Sequence, residues 1–162
     1  MPADVRIEYL ADHSQCVDQL ARWHHAQWSY LNPARSLEER KNELARHNAP
    51  RQVPTTFVAL QNGEPLGSAS LVEHDLKHRA DLAPWLASVY VAPDYREQGL
   101  GSALVARVVE EAQALGFGTL YLFTTDRESF YGRRGWVTFE QSDCNGASIV
   151  LMSKALANRL VG

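Results

Sequence analysis

Val91-Ala92-Pro93-Asp94-Tyr95-Arg96-Glu97-Gln98-Gly99-Leu100-Gly101-Ser102-Ala103-Leu104 runs from an apolar strand through a glycine-punctuated loop into the start of a helix. Gly99 and Gly101 have no Cβ, so the chain can turn tightly there and bring its amides close to a ligand. A helix that begins near Leu100 leaves its first N–H groups without intrahelical partners and adds the positive end of its dipole. A phosphate or pyrophosphate fits such a site, with Arg96 as a mobile cation at its rim.

Spacing separates this loop from the better known phosphate-binding motifs. A P-loop needs Gly-Lys-Ser/Thr, whereas Gly101 is followed by Ser102 and Ala103. A dinucleotide fingerprint wants glycine or alanine where Leu104 stands, and Asp126 at a suitable distance downstream does not repair that failure.

The pattern Val-x-Pro-x-x-Arg-x-x-Gly-x-Gly resembles the acetyl-CoA-binding signature of the GNAT N-acetyltransferase superfamily. Downstream, Leu120 to Asp126 reads as a buried strand, and Ser129-Phe130-Tyr131-Gly132-Arg133-Arg134-Gly135-Trp136 is similar to that family's Phe-Tyr-x-x-x-Gly-aromatic segment. The resemblance spans Ala83 to Val137. It implies an α/β (α+β) GNAT fold, a mixed central sheet of about seven strands with helices on both faces.

The rest of the chain agrees in element order. Val5 to Tyr9 alternates as a half-buried strand does, and Val17, Leu20, Trp23 or His24, Gln27 or Trp28, and Leu31 mark an amphipathic helix from Ser14 to about Tyr30. Ser36-Leu37-Glu38-Glu39 forms a capping box for a second helix, to about His47. Thr55 to Leu60 and Leu66 to Val72 flank an Asn62-Gly63 hairpin turn, and Leu86 to Val91 is the strand before the glycine loop. The third helix runs from Leu100 to a stop at Gly116, and Thr119 to Phe123 is the next strand. A short helix from Glu128 to Arg134 is expected to be capped by Asp126 and stopped by Gly135. Val137 to Gln141 and Ser148 to Met152 close the sheet around Asp143 to Gly146, and the tail from Ala155 to Gly162 is expected to be a small helix or to fray.

With 162 residues, 45% of them hydrophobic, the chain is expected to form one domain, residues 1–162, with a substantial core. A net charge of −3 and a pI near 6.1 give no reason to expect nucleic acid or anionic membrane as a partner. Cys16 and Cys144 have neither disulfide-framework nor metal-type spacing. The charged N-terminus and the lack of a membrane-length apolar run lead to the expectation of a soluble, cytoplasmic protein, for which a homodimer is open.

The resemblance also implies site residues. Acetyl-CoA would be held as cosubstrate by Val89, Tyr90 and Val91 along the strand and by Arg96, Gln98, Gly99, Leu100, Gly101 and Ser102 around the pyrophosphate, mostly through backbone amides. Glu97 departs from the small or basic residue common at its position, so its side chain is expected to point away from the phosphates. Tyr131 is the implied general acid, since a phenol is protonated at neutral pH and can give its proton to a departing thiolate.

Many relatives place a glutamate base on the fourth strand, but Trp85-Leu86-Ala87-Ser88 holds no carboxylate. That leaves Glu73, His74, Asp75, Asp81 or a water chain to take the amine's proton. His74 and His78 complete no metal site, and the reaction needs none. Trp23, Trp28 and Tyr30, facing Glu140 and Asp143, are the candidate contacts to the acceptor, while Arg127, Arg133 and Arg134 are solvated or near the nucleotide. The reading is direct acetyl transfer to a primary amine: a small amine, an amino acid, an antibiotic or a peptide N-terminus. Ser129 has no evident histidine partner, which disfavours an acyl-enzyme. A second reading is a catalytically idle acyl-CoA sensor or scaffold, against which the presence of Tyr131 and the whole loop argues.

Overall fold

The computed structural model describes residues 4–47 and 50–157. Along them run β1 (Val5–Tyr9), α1 (Val17–Trp28), α2 (Leu37–Ala45), β2 (Thr55–Gln61), β3 (Glu64–Val72), β4 (Trp85–Val91), α3 (Leu100–Ala114), β5 (Thr119–Thr124), α4 (Glu128–Gly132), β6 (Val137–Cys144) and β7 (Ala147–Ala155). The strands form a single seven-stranded sheet in the order β1-β2-β3-β4-β5-β7-β6. Every neighbouring pair is antiparallel except β4 and β5.

Alternation along β2 shows why helices cover both faces. Phe57 and Ala59 join the core beneath α3 with Leu71, Leu104, Val108 and Leu120, whereas Val58 and Leu60 join Leu10, Leu20 and Leu44 beneath α1 and α2. A strand buried on both sides needs apolar residues at successive positions, and Phe57-Val58-Ala59-Leu60 supplies them. A third cluster, Leu76, Trp85, Ile149 and Leu151, closes the sheet around β7.

Local chemistry sets the boundaries. Asn62 (φ 52°) and Gly63 (φ 81°) turn β2 into β3, and Asn145 (φ 48°) and Gly146 (φ 86°) turn β6 into β7, as two-residue hairpins require. Two residues suffice for the second turn, so β6 runs on to Cys144 instead of ending at Gln141. The capping box on α2 is formed, with Glu39 N donating to Ser36 Oγ at 3.1 Å and Ser36 N to Glu39 Oε1 at 3.4 Å.

Two expectations are corrected. α4 ends at Gly132, and it is the hydroxyl of Thr124, not Asp126, that accepts the Arg127 N–H, at 3.1 Å. Ala155 belongs to β7, pairing with Thr119, so the chain is extended where a helical or frayed tail was expected to begin. Positions 158–162 of that tail lie outside the described residues.

Two irregularities open the sheet at its centre. β4 and β5 are bridged only at Trp85 and Tyr121, and beyond that point they diverge. β4 also bulges: Ser68 pairs with Tyr90 and Ser70 with Ala87, so Ala69 faces both Ser88 and Val89, and Ser88 takes a left-handed φ of 54°. The extra residue bends the strand and leaves backbone groups without a cross-strand partner, beside the gap that the splay creates.

Candidate active site

A cleft of about 940 Å³ follows that gap, from the N-terminus of α3 to the loop between α1 and α2. Its size is that of a small-molecule site. Of the residues implied for cofactor binding, Val89, Tyr90, Val91, Arg96, Gly99, Gly101 and Ser102 line it. Leu100 turns its side chain into the core at 1% exposure, and Gln98 donates its side-chain amide back to the Asp94 carbonyl, so neither side chain faces the cleft.

At the α3 end the backbone does the work. Gly99 precedes the helix with φ 84°, a conformation that costs glycine least, and no side chain caps the first turn. A Cβ on Gly101 would sit 3.6 Å from Val91 Cγ2 and 3.9 Å from Phe130 Cζ, so the first turn of the helix passes close to β4 and α4. Uncapped N–H groups at the head of a fifteen-residue helix with no acidic residue in its first turn fit a pyrophosphate. Arg96 is not a mobile rim cation, since its Nε donates to Val91 O at 2.8 Å and its guanidinium lies over the Tyr90 ring. Glu97, at φ 63°, also lines the cleft.

Arg134 supplies a cation that sequence reasoning did not assign to the loop. Its Nε donates to Ser102 Oγ at 3.0 Å, its Nη1 to Phe130 O at 2.7 Å, and its guanidinium stacks on the Phe130 ring. The signal was present in the spacing, because Arg134 stands four residues after Phe130, just past the end of α4. Nothing in the sequence showed that this segment lies against α3.

Tyr131, on α4, lines the cleft as well. Its ring meets Phe130 and Trp136 edge-on, and among the described residues its hydroxyl makes no hydrogen bond. It lines the cleft at 7% exposure, and burial pushes its phenol up to about 12 against the smaller opposing pull of Arg127 and Arg134. Behind the bulge, Ser68 Oγ donates to Ser88 O at 3.5 Å, which leaves His24 Nε2 to donate to Ser68 Oγ at 2.8 Å. His24 Nδ1 is then a bare acceptor in the interior, and burial, with Arg40 and His47 nearby, lowers the ring to about 3.

At the far end the structure discriminates among the candidate bases. Glu73 is exposed beside His74, Asp81 is held by Arg79, and none of these lines the cleft. Asp75 does. Its carboxylate is open to cleft water yet surrounded by protein at larger radius, and that desolvation pushes it up to about 7 against the pull of Arg40 and Arg35. Trp28 and Asp143 line this end too, but Trp23 stacks on Tyr90, Tyr30 is exposed with its hydroxyl 3.5 Å from Thr125 Oγ1, and Glu140 is bound by Arg79.

No described helix is long and apolar enough to cross a membrane. Against known proteins, residues 17–136 match the model of the acetyltransferase (GNAT) family. An amino-acid acetyltransferase of Azotobacter vinelandii is 41% identical over 51 residues, 32% of this chain and 12% of that protein. One from Haemophilus ducreyi is 24% identical over 115 residues, so this chain spans about a quarter or less of the length of the curated relatives it matches. Among solved structures, N-acetylglutamate synthase from Neisseria gonorrhoeae, complexed with coenzyme A and N-acetyl-glutamate, has TM-score 0.68 at 20% identity over 98% of this chain and 36% of its own. At such identity the likeness is one of fold. With the family model matching most of the sequence, and with the glycine loop, the bulged strand and Tyr131 meeting in one cleft, the chain belongs to the acetyltransferase (GNAT) family.

Proposed function

We propose that the protein transfers an acetyl group from acetyl-CoA directly to a primary amine. The observation that carries this is one continuous cleft joining the α3 cradle, the β4 bulge, Tyr131 and Asp75. Acetyl-CoA supplies the activated acyl carbon. The amides at Gly99 to Ser102 hold its pyrophosphate and those of Val89 to Val91 its arm, with bulge N–H groups stabilising charge on the thioester oxygen. Asp75 takes the proton that the acceptor ammonium must lose before its nitrogen can attack.

Magnitudes refine the part played by Tyr131. A phenol near 12 is a weaker acid than a thiol near about 8.5, so full transfer of its proton to the leaving sulfur is uphill by roughly 5 kcal/mol. Tyr131 therefore keeps its proton and acts as a hydrogen-bond donor to the developing thiolate. The free thiols of Cys16 and Cys144 suit a reducing, cytoplasmic setting.

A ligand that meets only the native state raises Tm by mass action, so acetyl-CoA should stabilise the protein and NAD should not. Gly101→Val should keep the unliganded Tm near wild type and abolish the acetyl-CoA response, because a β-branched side chain would project beside Val91 where the pyrophosphate is to sit. Equal responses to NAD and acetyl-CoA, or a Gly101→Val variant that still responds, would sink the donor assignment. Acetyl-CoA binding without thiol release from any amine would favour the sensor instead.

A further inference from the structure

The far end of the cleft contains a cation that the fold leaves without an anion. Arg40, from α2, is 9% exposed and lines the cleft, yet its guanidinium makes no hydrogen bond or ion pair with a described residue, and its Nε is buried without a partner. Glu43, one turn along the same helix, is engaged by Arg35, Nη1 to Oε2 at 3.2 Å. A guanidinium stays charged at any physiological pH, and a buried one with no partner costs stability. Asp75 faces the same cleft and also makes no hydrogen bond or ion pair among the described residues. It is felt by Arg40 only through space.

A separated cation and carboxylate on the wall of one cleft are the complement of a zwitterion. We propose that the acceptor is an amine that also bears a carboxylate, a free amino acid in the simplest form, with its carboxylate on Arg40 and its ammonium toward Asp75. The assignment rests on the acetyl-transfer reading above and narrows it. Arg40 offers a planar fork of donors that matches a carboxylate with two parallel bonds. A polycationic amine would set like charge against it in a site of reduced dielectric, which selects against that class. Trp28, Leu31 and Pro33 line the same end and offer apolar surface to an amino-acid side chain.

The test is thiol release from acetyl-CoA with the twenty standard amino acids, their α-amides and spermidine. At least one amino acid should be preferred over its own amide by roughly tenfold to a hundredfold in kcat/KM, the range for a hydrogen-bonded charge pair. Arg40→Met should raise KM for that amino acid and bring the ratio to the amide close to one, while leaving the unliganded Tm unchanged or higher, because it removes an unpaired buried charge. Arg40→Lys, which keeps the charge and loses the fork, should fall between. A structural arginine would instead lower Tm on removal and leave the ratio intact, and that result overturns the proposal. So does equal use of amino acids and amides, activity confined to spermidine, or activity with none of the panel. Failure of the underlying reading shows separately, as the absence of any acetyl-CoA thermal shift.

Discussion

On the proposed reading, recognition at the α3 end of the cleft belongs mainly to the backbone: helix amides, a left-handed Gly99 and strand N–H groups lie within one contiguous stretch of chain, with Arg134 added from beyond it. At the opposite end it belongs to side chains that converge from α2, the β3–β4 connection and the β6–β7 hairpin, which are distant in sequence. On that reading the first end is committed to one chemical group. The second is then open to re-specification by single substitutions that leave the first alone. A family that keeps its donor and varies its acceptor needs this division, since backbone recognition resists mutation and side-chain recognition invites it.

The largest expected effect lies at the junction of the two ends. Tyr131→Phe removes one hydroxyl and little volume, so acetyl-CoA affinity should hardly move, whereas loss of a preorganised donor to a developing anion costs roughly 10² to 10³ in rate. Single-turnover measurement is the cleaner reading, because slow product release would mask the defect in kcat. If affinity falls and the single-turnover rate stays, the hydroxyl anchors the donor and Tyr131 belongs wholly to that end.

Asp75→Asn probes the other side, with a loss of roughly 10²-fold at pH 7. Its carboxyl is raised from 3.8 to about 7, so kcat/KM in the wild type should climb as Asp75 ionises, then level off below the acceptor's own pKa. The Asn variant should lose that plateau and keep rising with pH as free amine is supplied by solution. Stability gives an independent check of sign. A raised carboxyl stabilises the native state below the unfolded value and loses that contribution as pH rises through the folded one, so wild-type stability should decline between about pH 4 and 7 on this account. The variant should lack that decline. Profiles that coincide would remove Asp75 as the base.

The difference between the two ends also explains what the sequence disclosed. The strand-loop-helix of the donor end was legible because its chemistry depends on glycine positions and periodicity, both local. The same holds for the capping box of Ser36 and Glu39 and for the Asn-Gly turns. The bulge was not legible, since Ser88 in a left-handed conformation is set by pairing with β3, and a serine in a strand gives no such signal. Arg40 was hidden for another reason. The cap places it inside α2, but which face of α2 meets the cleft is decided by packing of Leu44 against α1 and β2, a tertiary fact. Asp75 stood in the sequence as one of four candidate side chains, and only the tertiary placement of the β3–β4 connection beside the cleft separates it from Glu73, His74 and Asp81.

The smallest expected effect concerns the support behind the bulge, where both ends share a wall. His24 is depressed from 6.5 to about 3 by burial, so its contribution to stability is complete above the unfolded value and is lost as pH falls toward the folded one. The native state then refuses a proton that the unfolded chain accepts, and stability should drop by at most about 1.4 kcal/mol per pH unit below 6.5. His47, lowered by burial beside Thr56, acts in the same direction, and Asp75 acts against both, so the bare wild-type profile mixes all three. His24→Gln isolates one of them, because glutamine has an amide N–H to offer Ser68 Oγ but nothing to titrate. The difference between variant and wild type should be near zero at pH 7 and grow in the variant's favour from pH 6 to 4. Asp18, lowered to about 2 by Arg22 and Lys41, does not intrude until the pH is more acid than that. If the two proteins lose stability in parallel across that window, burial does not hold the His24 ring neutral in the fold, and the histidine contributes nothing to the acid side of the profile.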